Sequence, residues 1–259
     1  MKKGLSLFIA ALFILISLSS DSYAMTTENN NETFTADQAS EELTDFVESL
    51  GVNIDQIEKF QIISNATTRS ADTVNALMIT TSQENTKQVY VIAGFQDVDG
   101  EIVPSDVVKP SETLTRTTKG YTWIPSTNTI SVAASVGFNT YGTDNITQAY
   151  YNPYYCQVFY ANTSGQHSVS YISAKYRSVG TPYSYPGFQP LSSSTYLHAI
   201  DVNQYSPVEW QIYSKTNYYS SGPSKVLRIT IPSYSEAMGL ELSVTVDGNS
   251  YSQYYGVTP

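Results

Sequence analysis

The C-terminal half of this 259-residue chain carries six carboxylates: Asp144, Asp201, Glu209, Glu236, Glu241 and Asp247. Two carboxylates facing each other across a glycosidic bond would suffice for acid/base hydrolysis of a glycan. Only Glu209 has an aromatic neighbour, Trp210, which makes that pair the best available start for a sugar site. An interior Trp beside a solvent-facing Glu explains the pair equally well. The two histidines, His167 and His198, stand alone in strand-like stretches, so a three-His zinc site cannot be built within one chain. There is no HExxH, no Gly-x-Ser-x-Gly elbow and no Cys/His motif. Asp97, Asp99 and Glu101 around Gly100 resemble a fragment of a calcium loop. With Gly100 at the invariant glycine, however, Phe95 falls on the first ligand position and Asp106 where a bidentate Glu belongs. Asp99-Gly100 is itself a hairpin-turn pair. The usual nucleophile, base and metal signatures are all missing, and the reading leans away from an enzyme. No catalytic residue, metal site or cofactor is expected.

Tyrosine is the oddity that remains, with 22 residues against nine Phe and two Trp. A Tyr ring is apolar with a polar tip and suits half-wet surfaces. Several tyrosines cluster among turn residues, at 150–155, 183–186, 218–222 and 251–255. Tyr, Ser, Gly and Asn are the residues binding loops favour, because Tyr gives contact area at low entropy cost. The candidate ligand-contacting residues are Trp123, Tyr154, Tyr155, Tyr185, Trp210, Tyr218, Tyr219 and Tyr254. The competing explanation is strand propensity, with Tyr on the wet face of a sheet.

The elements that must position these residues are mostly strands. Residues 129–138 alternate Ile130, Val132, Ala134, Val136 and Phe138 with small or polar partners. The same two-residue period marks 227–231, 240–246 and 250–255, the last two joined by the turn pair Asp247-Gly248. Segments 155–161 and 168–176 read as a hairpin around 162–165, and 196–202 and 208–213 complete at least seven strands. One buried face per strand is the pattern of an antiparallel β-sandwich, immunoglobulin-like in architecture, over residues 127–259. A closed barrel is the alternative. Residues 109–126, with Pro110 and Pro125 and many Ser and Thr, read as a linker.

A small acidic α+β unit is expected over 34–108. Thr35 and Gln38 form a capping box, Ala39, Leu43, Phe46, Val47 and Leu50 follow helical spacing, and Gly51 supplies the stop. A second short helix is expected from Asn53, with Ile54, Ile57 and Phe60 on one face. Strands are expected at 74–81 and 88–96, before the Asp99-Gly100 turn. Residues 25–33 carry too little apolar surface to fold and are expected to be disordered.

The first 24 residues set the compartment. Lys2-Lys3, an apolar run over 5–18 and small residues at Ser22 and Ala24 make an export signal cut after Ala24, of bacterial type. The run is too short to be a spanning helix. No later segment is hydrophobic enough to anchor the chain, so a secreted product without a stable membrane anchor is expected. Net charge is −10, concentrated in residues 25–60, where nine acids oppose Lys59 alone. That acidity argues against nucleic acid as a partner. The single Cys156 excludes an internal disulfide and reads as a small buried hydrophobe. The function expected is non-catalytic recognition of an extracellular protein or surface partner through Tyr-rich loops. The alternatives are a carbohydrate-binding module or glycan-active enzyme, and a toxin-like β protein that assembles on membranes by unfurling 129–147.

Overall fold

The computed structural model describes residues 32–65, 74–111, 120–123, 129–145, 148–162, 167–184, 187–191, 196–216, 226–230, 237–257 and 259. The expected export signal and its expected cleavage point lie outside the described residues. Glu32 and Thr33, expected to be disordered, belong to strand β1 (Glu32–Phe34), antiparallel to β2 (Ile57–Asn65). Phe34 stacks on Phe60 with ring centroids 4.9 Å apart, and this supplies the apolar anchor that the polar residues before it lack.

The helix starts later than its sequence signature. Ala36–Gln38 makes only a 3-10 turn, with the Thr35 N–H donating to Gln38 Oε1 at 3.0 Å. Helix α1 (Glu41–Ser49) is capped by Ser40, whose Oγ accepts from the Leu43 N–H at 3.2 Å. Glu41 and Glu42 occupy its first turn, where the dipole favours acids. Leu43, Val47 and Leu50 are buried as the spacing requires, and Gly51 ends the helix at φ +76°. The second helix is also a single 3-10 turn, Ile54–Gln56, capped by Asn53. Ile57 then opens β2, and Phe60 and Ile62 are buried on one strand face rather than one helix face.

The remaining strands are β3 (Val74–Gln83), β4 (Thr86–Val98), β5 (Glu101–Ser105), β6 (Val108–Ser111), β7 (Gly120–Trp123), β8 (Thr129–Asn145), β9 (Gln148–Asn162), β10 (Val169–Tyr183), β11 (Tyr196–Tyr205), β12 (Tyr213–Thr216), β13 (Val226–Thr230), β14 (Ala237–Val246) and β15 (Asn249–Gly256). All described pairings are antiparallel. The main path runs β1-β2-β3-β4-β8-β9-β13-β10-β14-β15, with β5 on β4, β12 on β9 and β11 on β10; β6 and β7 pair separately. The path has two ends, so no closed barrel forms. β4 pairs with β8 from Thr86↔Asn139 to Gln96↔Thr129, so hydrogen bonding continues from the 34–108 segment into the 127–259 segment. Within 109–126, Lys109, Pro110 and Ser111 pair with Thr122, Tyr121 and Gly120.

The expected hairpin of 155–161 with 168–176 does not form. β9 pairs with β8, β12 and β13, whereas β10 is flanked over most of its length by β11 and β14. Only 181–183 of β10 reach β13, which joins the two groups of strands.

Burial explains why these groups stay together. Ile130, Val132, Ala134 and Val136 of β8 share one core cluster with Ile172, Ala174, Leu240 and Val244 from the β10 and β14 side. The opposite face of β3, β4 and β8 offers Leu77, Ile79, Ile92 and Ala133 to Leu43 and Val47 of α1. Residues 76–81, 89–95 and 130–138 are therefore buried without interruption. Alternation with one wet face was expected for these strands. The small residues of β8 instead let a second layer approach closely, and double-faced burial gives near-continuous apolar runs.

Candidate functional site

Val208, Trp210 and Ile212 alternate with Glu209 and Gln211, a period that predicts a strand. The structure instead has a loop from 206 to 212, and β12 begins only at Tyr213. Pro207 lacks a backbone donor, and Ser206 and Trp210 adopt φ of +46° and +63°, which break any ladder. The alternating apolar side chains therefore have no layer to enter. Tyr205 is 74 % exposed, Val208 59 %, Trp210 47 % and Ile212 50 %.

The loop is held by its backbone. The Ser206 N–H donates to the Ser170 carbonyl at 2.9 Å and the Trp210 N–H to the Tyr160 carbonyl at 2.9 Å. The Val208 N–H donates to Tyr213 Oη at 2.8 Å, and Tyr160 Oη donates to the Pro207 carbonyl at 3.3 Å. Burial, and next the Glu209 carboxylate, push the Tyr160 phenol above its ordinary range, so it remains a donor. Left-handed backbone at a bulky residue persists only where its surroundings over-determine it, and such positions gather at functional sites.

Beside the loop, Tyr171 packs on Tyr205 with centroids 5.0 Å apart and donates from Oη to Asn203 Oδ1 at 2.7 Å. An open groove of about 470 Å³ is lined by Asp201, Asn203, Gln204, Ile212, Ser214 and Lys215, among others. Arg177 holds both Asp201 oxygens through Nη1 and Nη2. The site thus combines exposed aromatic and aliphatic surface with amide, hydroxyl and charged groups at its rim.

The eight residues singled out by sequence do not converge. Trp210 is in this site. Tyr154 and Tyr155 contact each other edge-to-face at 4.6 Å and are half-buried, and burial raises both phenols. The Tyr155 ring lies where a Cβ on Gly137 would sit, so it serves packing. Tyr155 is also five residues along β9 from Tyr160, or about 16 Å from that tie point at the usual strand rise, and pairs with Thr216 at the far end of β12. Tyr254 covers Gly239 in the same way and is 53 % exposed. In register it lies three strands from β11, opposite Asp201, which puts it about 20 Å from Tyr205. Trp123 pairs through its backbone with Val108 in β7. Tyr185, Tyr218 and Tyr219 lie outside the described residues. Sequence reasoning missed Tyr171, Tyr205, Val208 and Ile212. The usable signal was Ser206-Pro207, which demotes the following apolar alternation from strand to loop.

Among the described residues no group of three His, Cys, Asp or Glu side chains is placed to hold a metal, and no helix is long and apolar enough to cross a membrane. Of the carboxylates considered for catalysis, Asp201 pairs with Arg177, Glu241 with Lys175 and Asp247 with His167, while Glu209 is exposed. No protein-family profile matches the chain, and no curated protein or solved structure is found to be similar to it.

Proposed function

We propose that this chain is a secreted, non-catalytic β-sandwich protein that binds an extracellular protein partner through the loop 206–212 and the adjoining Tyr205 and Tyr171. The observation that carries the reading is four large apolar side chains, each about half exposed or more, within eight residues of a backbone-tied loop. Contiguous exposed apolar surface marks interaction sites, and Trp and Tyr are the residues that dominate them. Val208 and Ile212 favour a protein over a sugar, because aliphatic side chains offer a pyranose no hydrogen bonds and no flat platform. The core shared by β8, β10 and β14 supports the sandwich description. The export signal at 1–24 supports the location.

A neutral glycan is the second reading, favoured by the groove in which Asn203, Gln204 and Ser214 accompany Tyr213. The membrane-assembling reading, which needs 129–147 to unfurl, is weakened by the pairing of Thr129–Asn145. β8 is paired on both sides, and 130–138 are buried, so unfurling would strip two ladders and a core strand.

The test applies labelled mature protein and a Tyr205→Ala/Trp210→Ala variant to intact cells, to protease-shaved cells and to a glycan array. Binding that disappears with shaving and with the variant, while the variant still unfolds cooperatively above the assay temperature, is the expected result. Binding that survives shaving and reappears on defined glycans transfers the site to the second reading. Equal binding by the variant removes the loop from the function.

A further inference from the structure

The described edge strands of the main sheet are blunted in recognisable ways, with one exception. β1 has three residues, β5 has Glu101 and Pro104, β12 has four residues and Lys215, and β11 carries Asp201 and runs beside β12. Shortness, charge and Pro all discourage foreign pairing. β15 has none of these. It is eight residues long, lacks any charge or Pro, and keeps an unbroken register with β14 from Val246↔Asn249 to Gly239↔Gly256. No described strand lies on its other side.

The open side has a defined phase. Asp247 and Gly248, at φ +49° and +86°, make the two-residue turn, so Val246 and Asn249 form the first bonded pair. Odd-numbered residues of β15 therefore bond to β14, and the Val257 N–H donating to the Met238 carbonyl at 3.1 Å continues that phase. Ser250, Ser252 and Gly256 turn their backbone groups away from β14. Their neighbourhood is electrically quiet despite the net charge of −10. Glu241 is paired with Lys175 at 3.1 Å and Asp247 with His167 at 2.6 Å.

A second observation comes from inside the same strand. Gln253 is 4 % exposed, its Oε1 accepts from Tyr255 Oη, and its Nε2 finds no acceptor among the described residues. A buried amide donor without a partner is rare in native structures and calls for one.

We propose that β15 is a self-pairing edge, at which two copies of this chain join antiparallel about a two-fold axis through Gln253. That register sets Ser250 opposite Gly256 of the second copy and Ser252 opposite Tyr254. Gln253 then faces its own equivalent in a non-hydrogen-bonded pair with Cα atoms about 4.5 Å apart. A turn of the Gln253 side chain toward the open edge, away from the position in which its amide is covered, lets each Nε2 meet the other carboxamide oxygen. The four strands β11-β10-β14-β15 become eight across the dimer. The contact is isologous and closes on itself, so it yields a dimer and not a filament. It is independent of the 206–212 loop.

The experiment uses the mature chain, residues 25–259. A ladder with little side-chain burial is a small interface, so sedimentation velocity should show monomer and dimer exchanging with a Kd on the order of 10–100 µM. In hydrogen exchange, the amides of Ser252 and Gly256 should slow as concentration rises, while that of Tyr251 does not change. Ser252→Pro removes an outward donor and should abolish both effects, and Ser252→Lys should do so through edge charge. Ser252→Ala loses the 2.7 Å hydroxyl contact with Ser243 but keeps the amide, and should dimerise like the native chain. A monomer at all concentrations up to about 300 µM overturns the proposal, since micromolar pairing would be visible there. A dimer unaffected in a folded Ser252→Lys variant overturns it too.

Discussion

Trp210 gives the sharpest test of the idea that loop 206–212 is held in a strained shape. Consider Trp210→Ala and Trp210→Gly. Both delete a ring that is 47 % exposed. A whole Trp side chain buries on the order of 200 Å², so about half of that, worth roughly 2.5 kcal/mol, is lost in each variant. The two differ only in backbone. At φ +63°, Ala retains the left-handed penalty of about 1–2 kcal/mol, which Gly lacks. Gly adds about 0.5–1 kcal/mol of unfolded-state entropy. The glycine variant should therefore be more stable than the alanine variant by about 0.5–1 kcal/mol, or about 1–4 °C in a domain of this size. At an ordinary right-handed or extended position the order is the reverse. Urea unfolding with a common slope measures the difference. Alanine equal to or better than glycine would refute a left-handed Trp210, and with it the claim that the ring is presented by a constrained backbone. Both variants should lose partner binding.

Alkaline pH should unfold the chain steeply. Burial, with Tyr154 beside it, pushes the Tyr90 phenol up to about 12 from its ordinary value of 10.0, and Tyr151, Tyr154, Tyr160 and Tyr254 shift the same way. A pKa raised in the folded state means stability complete below pH 10 and lost as pH rises through the folded value. Tyr90 alone contributes on the order of 2–3 kcal/mol, and phenolate absorbance should appear together with loss of circular dichroism rather than before it. Cys156, fully buried and pushed up to about 12 by burial and then by the Asp201 charge, should resist thiol reagents in the native protein and react at once in denaturant; labelling of native protein at the denatured rate would contradict its placement.

The strands that sequence displays best are those with one wet face. Segments 240–246 and 250–255 alternate cleanly, and Asp247-Gly248 fixes their turn, because local chemistry decides all three. β3, β4 and β8 were legible as strands, and the unbroken apolar runs 76–79 and 89–93 were the available sign of burial on both faces, which a reading by alternation alone passes over. Nothing in 76–81 or 89–95 announces that α1 covers one face and the β10–β14 side the other. The β9–β10 hairpin was misread because proximity in sequence is only a prior for pairing, and β11 and β14 occupy both flanks of β10. At the candidate site, Trp210 stood out as a rare residue, but its companions were hidden by a pattern that imitated a strand. Val208, Trp210 and Ile212 alternate because each turns outward from a loop tied at Tyr160 and Ser170.

Double-faced burial and the strained loop belong to one argument. A chain with a single cysteine has no internal disulfide to fix the 206–212 loop. The Tyr160 and Ser170 carbonyls can hold Ser206 and Trp210 left-handed only if β9 and β10 do not yield. β9 is fixed by β8 on one edge and by β12 and β13 on the other, and β8 is sealed between two core clusters that together include α1. On a softer sheet the loop would relax into the right-handed region and its apolar side chains would fold back onto the groove. A preformed loop also lowers the ordering cost of binding, about 0.5–1.5 kcal/mol for each side chain that need not be immobilised. The buried interior of β8 is thus the physical reason that an exposed tryptophan on another element can act as a rigid anchor.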